Sequence, residues 1–197
     1  MTAAISRRNF MGMVGGSAAA AAALSACGSN SDAASETSEY GDGDAGILNF
    51  LLTVEYVQEA FYAELGKSKL FTVAAREALG KFGEEEGEHI GKLVGQVEKL
   101  EAEPIAKPKT KFELKTEAGT LEIASTLENV GAAAYLGQLP NIESDPLLKL
   151  VLSIHSVEGR HGASINDLLK KPVTPDGPFA KPKNVRDVIK AMKPYMA

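Results

Sequence analysis

Apolar side chains recur at three- and four-residue spacing in four separate stretches, which predicts four amphipathic helices. The first runs from about Ile47 to Leu65 and lines up Leu48, Leu52, Glu55, Glu59 and Tyr62. The second starts after a Thr72 cap, runs from Val73 to about Glu103 and stops at Pro104; its line is Leu79, Phe82, Glu86, His89, Leu93 and Leu100. The third spans about Thr120 to Gly137 and aligns Leu121, Ala124, Glu128 and Tyr135. The fourth, roughly Asp145 to Lys170, carries the cleanest heptad: Leu147, Val151, Ile154, Glu158, His161, Ile165 and Leu168. Between the second and third, residues 104–119 hold Pro104, Pro108 and the alternating run Lys111-Phe112-Glu113-Leu114-Lys115, too long and proline-marked for a tight turn. Extended, such a segment covers roughly 50 Å, enough to return along a whole helix and make the second and third helices parallel. After Pro172 a Pro/Gly-rich stretch precedes an amphipathic segment, Val185 to Met192, which predicts a short fifth helix lying on the others. The expected fold class is all-α: a four-helix bundle with a long crossover between helices two and three and a short C-terminal helix.

Each stripe is interrupted where a bundle normally buries leucine, and the interruptions are acidic or imidazole side chains. A buried, unpaired glutamate is expensive, so something must be paired with it. The order is Glu55, then Glu86-x-x-His89, then Glu128, then Glu158-x-x-His161, with the second set offset from the first by about 72 residues. A two-helix unit is used twice. An i, i+3 pair presents Glu and His on one helical face, and an isolated Glu on the neighbouring helix can chelate or bridge. Four glutamates carry about −4, which two divalent ions would neutralise. Glu55, Glu86, His89, Glu128, Glu158 and His161 are therefore the predicted ligands of a dinuclear metal centre. Oxygen-rich ligation with one imidazole per ion suits two Fe ions, with Mn as the alternative.

Tyr62 and Tyr135 each lie seven residues, two helical turns, after Glu55 and Glu128. They either hydrogen-bond a ligand carboxylate or a bound oxygen species, or pack as core aromatics. Glu59 reads as a partly exposed helix glutamate, and His155, with no Glu three before it, as a surface or packing residue. In the run Glu84-Glu85-Glu86 only Glu86 is in register, the others belonging to a solvated face. Gly83, Gly87, Gly91 and Gly95 recur every four residues along the second helix, although each Gly costs about 0.8–1 kcal/mol relative to Ala. Another segment or a second copy is expected to cover them, so a homo-oligomer is compatible with the sequence.

The N-terminal region is of a different kind. Ser6-Arg7-Arg8-Asn9-Phe10-Met11 reads as a twin-arginine signal, followed by a weakly apolar Gly/Ala run and by Leu24-Ser25-Ala26-Cys27, a lipobox in which Cys27 would be lipidated. Residues 1–27 are thus an export signal, and 28–45, rich in Ser, Gly, Asp and Glu, a disordered tether reaching roughly 20–25 Å. Residues 46–197 are the folded domain. The expected location is the cell envelope, at the extracytoplasmic membrane face, held through the lipid anchor only. Cys27 is the only cysteine, which excludes an intramolecular disulfide and a thiolate metal site. Loss of Arg7 and Arg8 with the signal moves the net charge from −5 to −7, and no basic run interleaved with aromatics remains, so nucleic acid is not expected as a partner.

Three segments carry a family resemblance: Leu48 to Tyr56 continuing to Phe61-Tyr62, Thr126 to Gly137, and Ile154 to His161. Through them the chain resembles the ferritin-like family that includes plant and bacterial desiccation-related proteins, over about Ile47 to Met196, and its ligand spacings are similar to those of bacterioferritin. The resemblance implies a ferritin-like four-helix bundle with a di-iron carboxylate centre able to oxidise Fe(II) or to consume O₂ or H₂O₂, with the six ligands named above. It departs from bacterioferritin at Gly87, where that family places its haem-ligating methionine, so no haem is expected. Three functions share these residues: a ferroxidase or di-iron oxidase, a non-catalytic metal-stabilised protective or interaction protein, and a Mn-dependent catalase-like enzyme.

Overall fold

Helix boundaries follow the local chemistry of the chain. The computed structural model describes residues 37–197 and contains α1 (Gly43–Lys67), α2 (Val73–Lys99), α3 (Glu117–Gln138), α4 (Asp145–Leu168) and α5 (Val185–Met192). The Thr72, Thr116 and Asn184 side chains accept from the backbone N–H of Ala75, Gly119 and Asp187, satisfying otherwise orphaned donors at the starts of α2, α3 and α5. Helix α4 opens on Asp145-Pro146, where the missing proline N–H costs no intrahelical bond. Asp44 reaches across to accept from the N–H groups of Glu143 and Ser144 at 2.8 and 3.0 Å, tying the start of α1 to the α3–α4 turn.

The predicted export signal, Cys27 and residues 28–36 lie outside the described residues. The rest of the segment expected to be a tether is structured. Ser38–Tyr40 forms a 3₁₀ turn, the Tyr40 ring meets Phe50 edge-on at 5.5 Å, and α1 begins three residues before the expected domain start at 46. Two apolar anchors, Tyr40 and Ile47, seat a stretch whose polar composition alone argues for disorder.

Helices α1 and α2 form one hairpin, α3 and α4 another, and the two associate through α1 against α3. Direction is fixed by side-chain pairs. Tyr62 meets Glu128 while Tyr135 meets Glu55, so α1 and α3 are antiparallel; α2 and α3 are then parallel, as the crossover requires. Residues 100–116 make that crossover and lie along α1: Asn49 bonds the backbone of Glu103 and Ile105, Lys107 pairs with Glu59, and Phe112 packs edge-on against Phe61. The alternating run around Lys111 forms a single bridge, Thr110 to Met196, rather than a strand. Glu59 is accordingly a half-buried ion-pair residue outside the centre of the bundle.

Because the crossover covers its outer side, α1 is buried almost all round, with Phe50, Leu51, Val54, Val57 and Phe61 as deep in the core as the expected line of Leu48 and Leu52. At the helix ends two expected core residues are corrected. Leu100 and Leu168 are 41% and 59% exposed, since α2 stops at Lys99 and α4 ends at Leu168; Val97 supplies the last buried contact of α2. Helix α5 lies on α3 and α1 through Val185, Val188 and Met192.

The glycines of α2 divide into two kinds. Gly83 is covered from within: a Cβ there would sit 2.7 Å from the Cβ of Tyr62, so α1 and α2 approach as closely as they do only because this position is bare. At Gly87, Gly91 and Gly95 a Cβ would meet nothing within 4 Å among the described residues. In urea unfolding, Gly91→Ala and Gly95→Ala are each expected to gain up to about 1 kcal/mol through helix propensity. Gly83→Ala is expected instead to lose about 1–3 kcal/mol through overpacking against the root of the Tyr62 side chain. Stabilisation by Gly83→Ala equal to that of Gly91→Ala would show that this approach is not tight.

Candidate metal centre

All six predicted ligand side chains converge at mid-bundle. Glu55, Glu86, Glu128 and Glu158 are fully buried, and His89 and His161 nearly so. The helical repeat explains the convergence: each Glu-x-x-His pair occupies adjacent turns on the inner faces of α2 and α4, opposite the single glutamates of α1 and α3. His89 Nδ1 lies 3.0 Å from Glu86 Oε2, 3.3 Å from Glu55 Oε2 and 3.5 Å from Glu158 Oε1. His161 Nδ1 lies 3.0 Å from Glu86 Oε1 and 3.5 Å from Glu128 Oε2.

Two overlapping donor groups result, Glu55/Glu86/His89/Glu158 and Glu86/Glu128/Glu158/His161, each with its donor atoms within 4.8 Å of one another. Glu86 and Glu158 belong to both. The glutamates of the Glu-x-x-His pairs are thus placed to be shared, and the isolated Glu55 and Glu128 to serve one position each. Glu55 Oε2 and Glu158 Oε1 are buried and accept no hydrogen bond, which is costly for a carboxylate oxygen and is what a cation would relieve. The residues present therefore fit a metal ion.

The two tyrosines act across the bundle rather than along their own helices. Tyr62 Oη donates to Glu128 Oε1 at 2.5 Å, and Tyr135 Oη donates to Glu55 Oε1. Burial, with Glu128 beside Tyr62 and Glu55 beside Tyr135, pushes both phenols well above their usual value of 10, so they remain donors. Sequence reasoning missed two further contacts. Gln58, fully buried, donates through Nε2 to Glu158 Oε2 at 2.6 Å and to Glu128 Oε2 at 3.3 Å. Its signal was present, a polar residue one turn after Glu55 on the same face. Glu85, assigned to a solvated face, places Oε2 2.6 Å from His161 Nε2, orienting the ring from outside; no periodicity distinguishes it from Glu84. Phe82 stacks on the His161 ring at 4.2 Å.

Helices α2 and α4 touch over a short stretch only, leaving a cleft of about 460 Å³ lined by Phe82, Glu85, Glu88, His89, Arg160 and His161. Solvent reaches the centre from its histidine side. His155 is not part of it: its Nδ1 lies 3.0 Å from the Ala132 carbonyl oxygen, at a separate groove between α3, α4 and residues 171–183.

Burial raises Glu55 to about 8 and moves Glu128 and Glu158 upward as well. Glu86 goes the other way: burial opposes ionisation, but the hydrogen bonds of His161 and His89 outweigh it and hold Glu86 at about 2. Burial disfavours the imidazolium forms, yet the surrounding carboxylates prevail, raising His89 to about 12 and His161 to about 11. In the metal-free protein Glu55 and both imidazoles thus hold protons that the unfolded chain releases. Their stabilisation is complete below the unfolded values of 4.5 and 6.5 and is lost as pH rises through about 8 and then about 11–12.

The melting temperature of chelator-treated protein is therefore expected to fall as pH rises from 4.5 through about 8. Added Mn(II) is expected to displace those protons, so the rise in melting temperature that it produces should grow over the same range. Calorimetric titration in buffers of different ionisation enthalpy would register the released protons. A melting temperature that climbs with pH in the chelated protein would contradict the protonated cluster.

Residues 43–171 match the family model described as the ferritin-like domain. No curated protein matches the chain.

Proposed function

We propose, from the premise that the chain belongs to the ferritin-like domain family, that it is an envelope-anchored di-iron carboxylate protein that oxidises Fe(II) with O₂ or peroxide. The observation that carries the reading is the pair of donor groups sharing Glu86 and Glu158, with two carboxylate oxygens left without hydrogen bonds. Glu55 and His89 would complete one metal position, Glu128 and His161 the other. Iron held by these residues would supply the redox chemistry that the oxidation of Fe(II) needs. The remaining roles fall to side chains. Tyr62 and Tyr135 hold Glu128 and Glu55 in place through hydroxyl hydrogen bonds, and Glu85 fixes the ring of His161.

Access fits small reactants. The cleft between α2 and α4 leads to the imidazoles, while the α1–α3 side is closed by packed side chains and the crossover, which keeps bulk water from the carboxylates. Oxygen-rich ligation favours Fe or Mn over softer metals. Export by the twin-arginine route and lipidation of Cys27 complete the proposal, supported by the Arg7-Arg8 pair and by Leu24-Ser25-Ala26-Cys27 in the sequence.

The reading is tested by metal analysis followed by Fe(II) oxidation assays. Glu128→Ala and His161→Ala are each expected to lose one metal equivalent and to slow oxidation by more than about 100-fold. Tyr62→Phe is expected to keep both ions but change the rate by about 10–100-fold, because the hydroxyl orients a ligand without being one. His155→Ala serves as control and should change neither. Wild-type protein holding two irons, yet consuming no more O₂ or H₂O₂ than free Fe(II), would replace the enzymatic reading with a metal-stabilised scaffold.

A further inference from the structure

The two halves of the bundle repeat one another, and at one position they do not. At an offset of 73 residues Glu55 corresponds to Glu128 and Tyr62 to Tyr135, but Gln58 corresponds to Gly131. The mismatch has a structural cause. A Cβ at residue 131 would lie 2.6 Å from Glu158 Oε2 and 2.8 Å from Gln58 Nε2, so the bare glycine vacates the space into which the amide of Gln58 extends.

That amide is not shared evenly. Its Nε2 donates to Glu158 Oε2 and Glu128 Oε2, the latter 3.5 Å from His161 Nδ1. The two carboxylate oxygens without hydrogen bonds, Glu55 Oε2 and Glu158 Oε1, both face His89 Nδ1, at 3.3 and 3.5 Å, and the amide's own Oε1 is likewise buried without a partner. Glu128 therefore accepts from both Tyr62 and Gln58, whereas Glu55 accepts from Tyr135 and turns its second oxygen only to His89 Nδ1, 3.3 Å away. An N–H bond to a carboxylate oxygen lowers the electron density that the oxygen can donate and restricts its reorientation. No symmetric donor does the same on the His89 side, because residue 131 has no side chain.

We propose that Gln58 is a positioning residue that makes the two metal positions inequivalent: by occupying Glu158 Oε2 and Glu128 Oε2 it weakens the His161 position, so that the His89 position fills first. The inference rests on the dinuclear reading of the site. It concerns the order and relative strength of binding rather than turnover.

The test is stepwise titration of the metal-free protein with Co(II), followed by calorimetry and visible absorption. Wild type is expected to bind two equivalents in separable steps, with His89→Ala abolishing the tighter step and His161→Ala the weaker. Gln58→Met keeps the volume and removes the donors. It should bring the two dissociation constants together by about tenfold or more, the size expected for a hydrogen bond to a charged group. Far-UV circular dichroism checks that the variant is folded. Gln58→Leu, which also lacks the amide donors and adds no charge, is the second variant and should shift the ratio in the same direction. Two wild-type steps that cannot be separated, a tighter step belonging to His161, or a ratio unchanged or widened in the variants would each overturn the inference. Wild type binding fewer than two equivalents would instead sink the dinuclear reading.

Discussion

Four fully buried carboxylates facing two imidazoles are the constraint around which this bundle is built. Isolated, each buried charge would cost several kcal/mol even after relaxation. The chain meets that cost with hydrogen bonds of fixed direction: phenols from α1 and α3 to carboxylates across the bundle, an amide from α1, and imidazoles at Glu86. The apolar core around them works in the same sense. By excluding water it raises the cost of leaving any oxygen unpaired, and it strengthens whatever electrostatic partner the site acquires. Glu55 Oε2 and Glu158 Oε1 are where the protein's own donors run out, and they face the same imidazole nitrogen.

Register made the Glu/His cluster legible in the sequence. Residues three, four and seven apart share a helical face whatever the bundle does with that face, so Glu86 with His89, Glu158 with His161, and the phase of Tyr62 could be read locally. The crossover was legible for a similar reason: length and prolines exclude a tight turn, and only one return path gives parallel α2 and α3. What each side chain touches across the bundle was not legible. Tyr62 bonds the glutamate of α3 rather than that of its own helix, a pairing set by the antiparallel packing of α1 against α3 that no single-helix pattern encodes. Glu85 reads as a solvated residue and Gln58 carries no sequence signal of its role beyond its phase with Glu55, because their partners lie 76 residues away and 70 or 100 residues away in the chain.

Stripe logic also misjudged α1. An amphipathic reading assigns one face to the core and the other to water, but α1 is enclosed by α2 and α3 on one side and by the crossover on the other. Its weak amphipathicity, with Phe50, Leu51, Val54 and Val57 on a face beside that of Leu48, Leu52 and Glu55, was the signal of a helix with little solvent face. Leu100 and Leu168 show the converse error, a heptad extrapolated beyond the point where the neighbouring helix still covers it. The anchoring of residues 37–45 follows from the same enclosure, since the start of α1 has to be covered by something and Tyr40 covers Phe50.

Duplication and departure from duplication divide the labour within the centre. The repeated elements, Glu, Glu-x-x-His and Tyr, create two overlapping donor groups of the same chemistry in one cluster. The elements that are not repeated lie on opposite sides of it. Gln58 and Gly131 modify the α1–α3 side, sealed from solvent, and Glu85 modifies the α2–α4 side, where the cleft opens. From solvent the cleft leads first to the imidazoles and Glu85, and to the tyrosines and Gln58 only through the carboxylates they hold. Residues on the open side can thus govern approach, and residues on the sealed side can set the strength and order of the donors, without either disturbing the ligand set that both share.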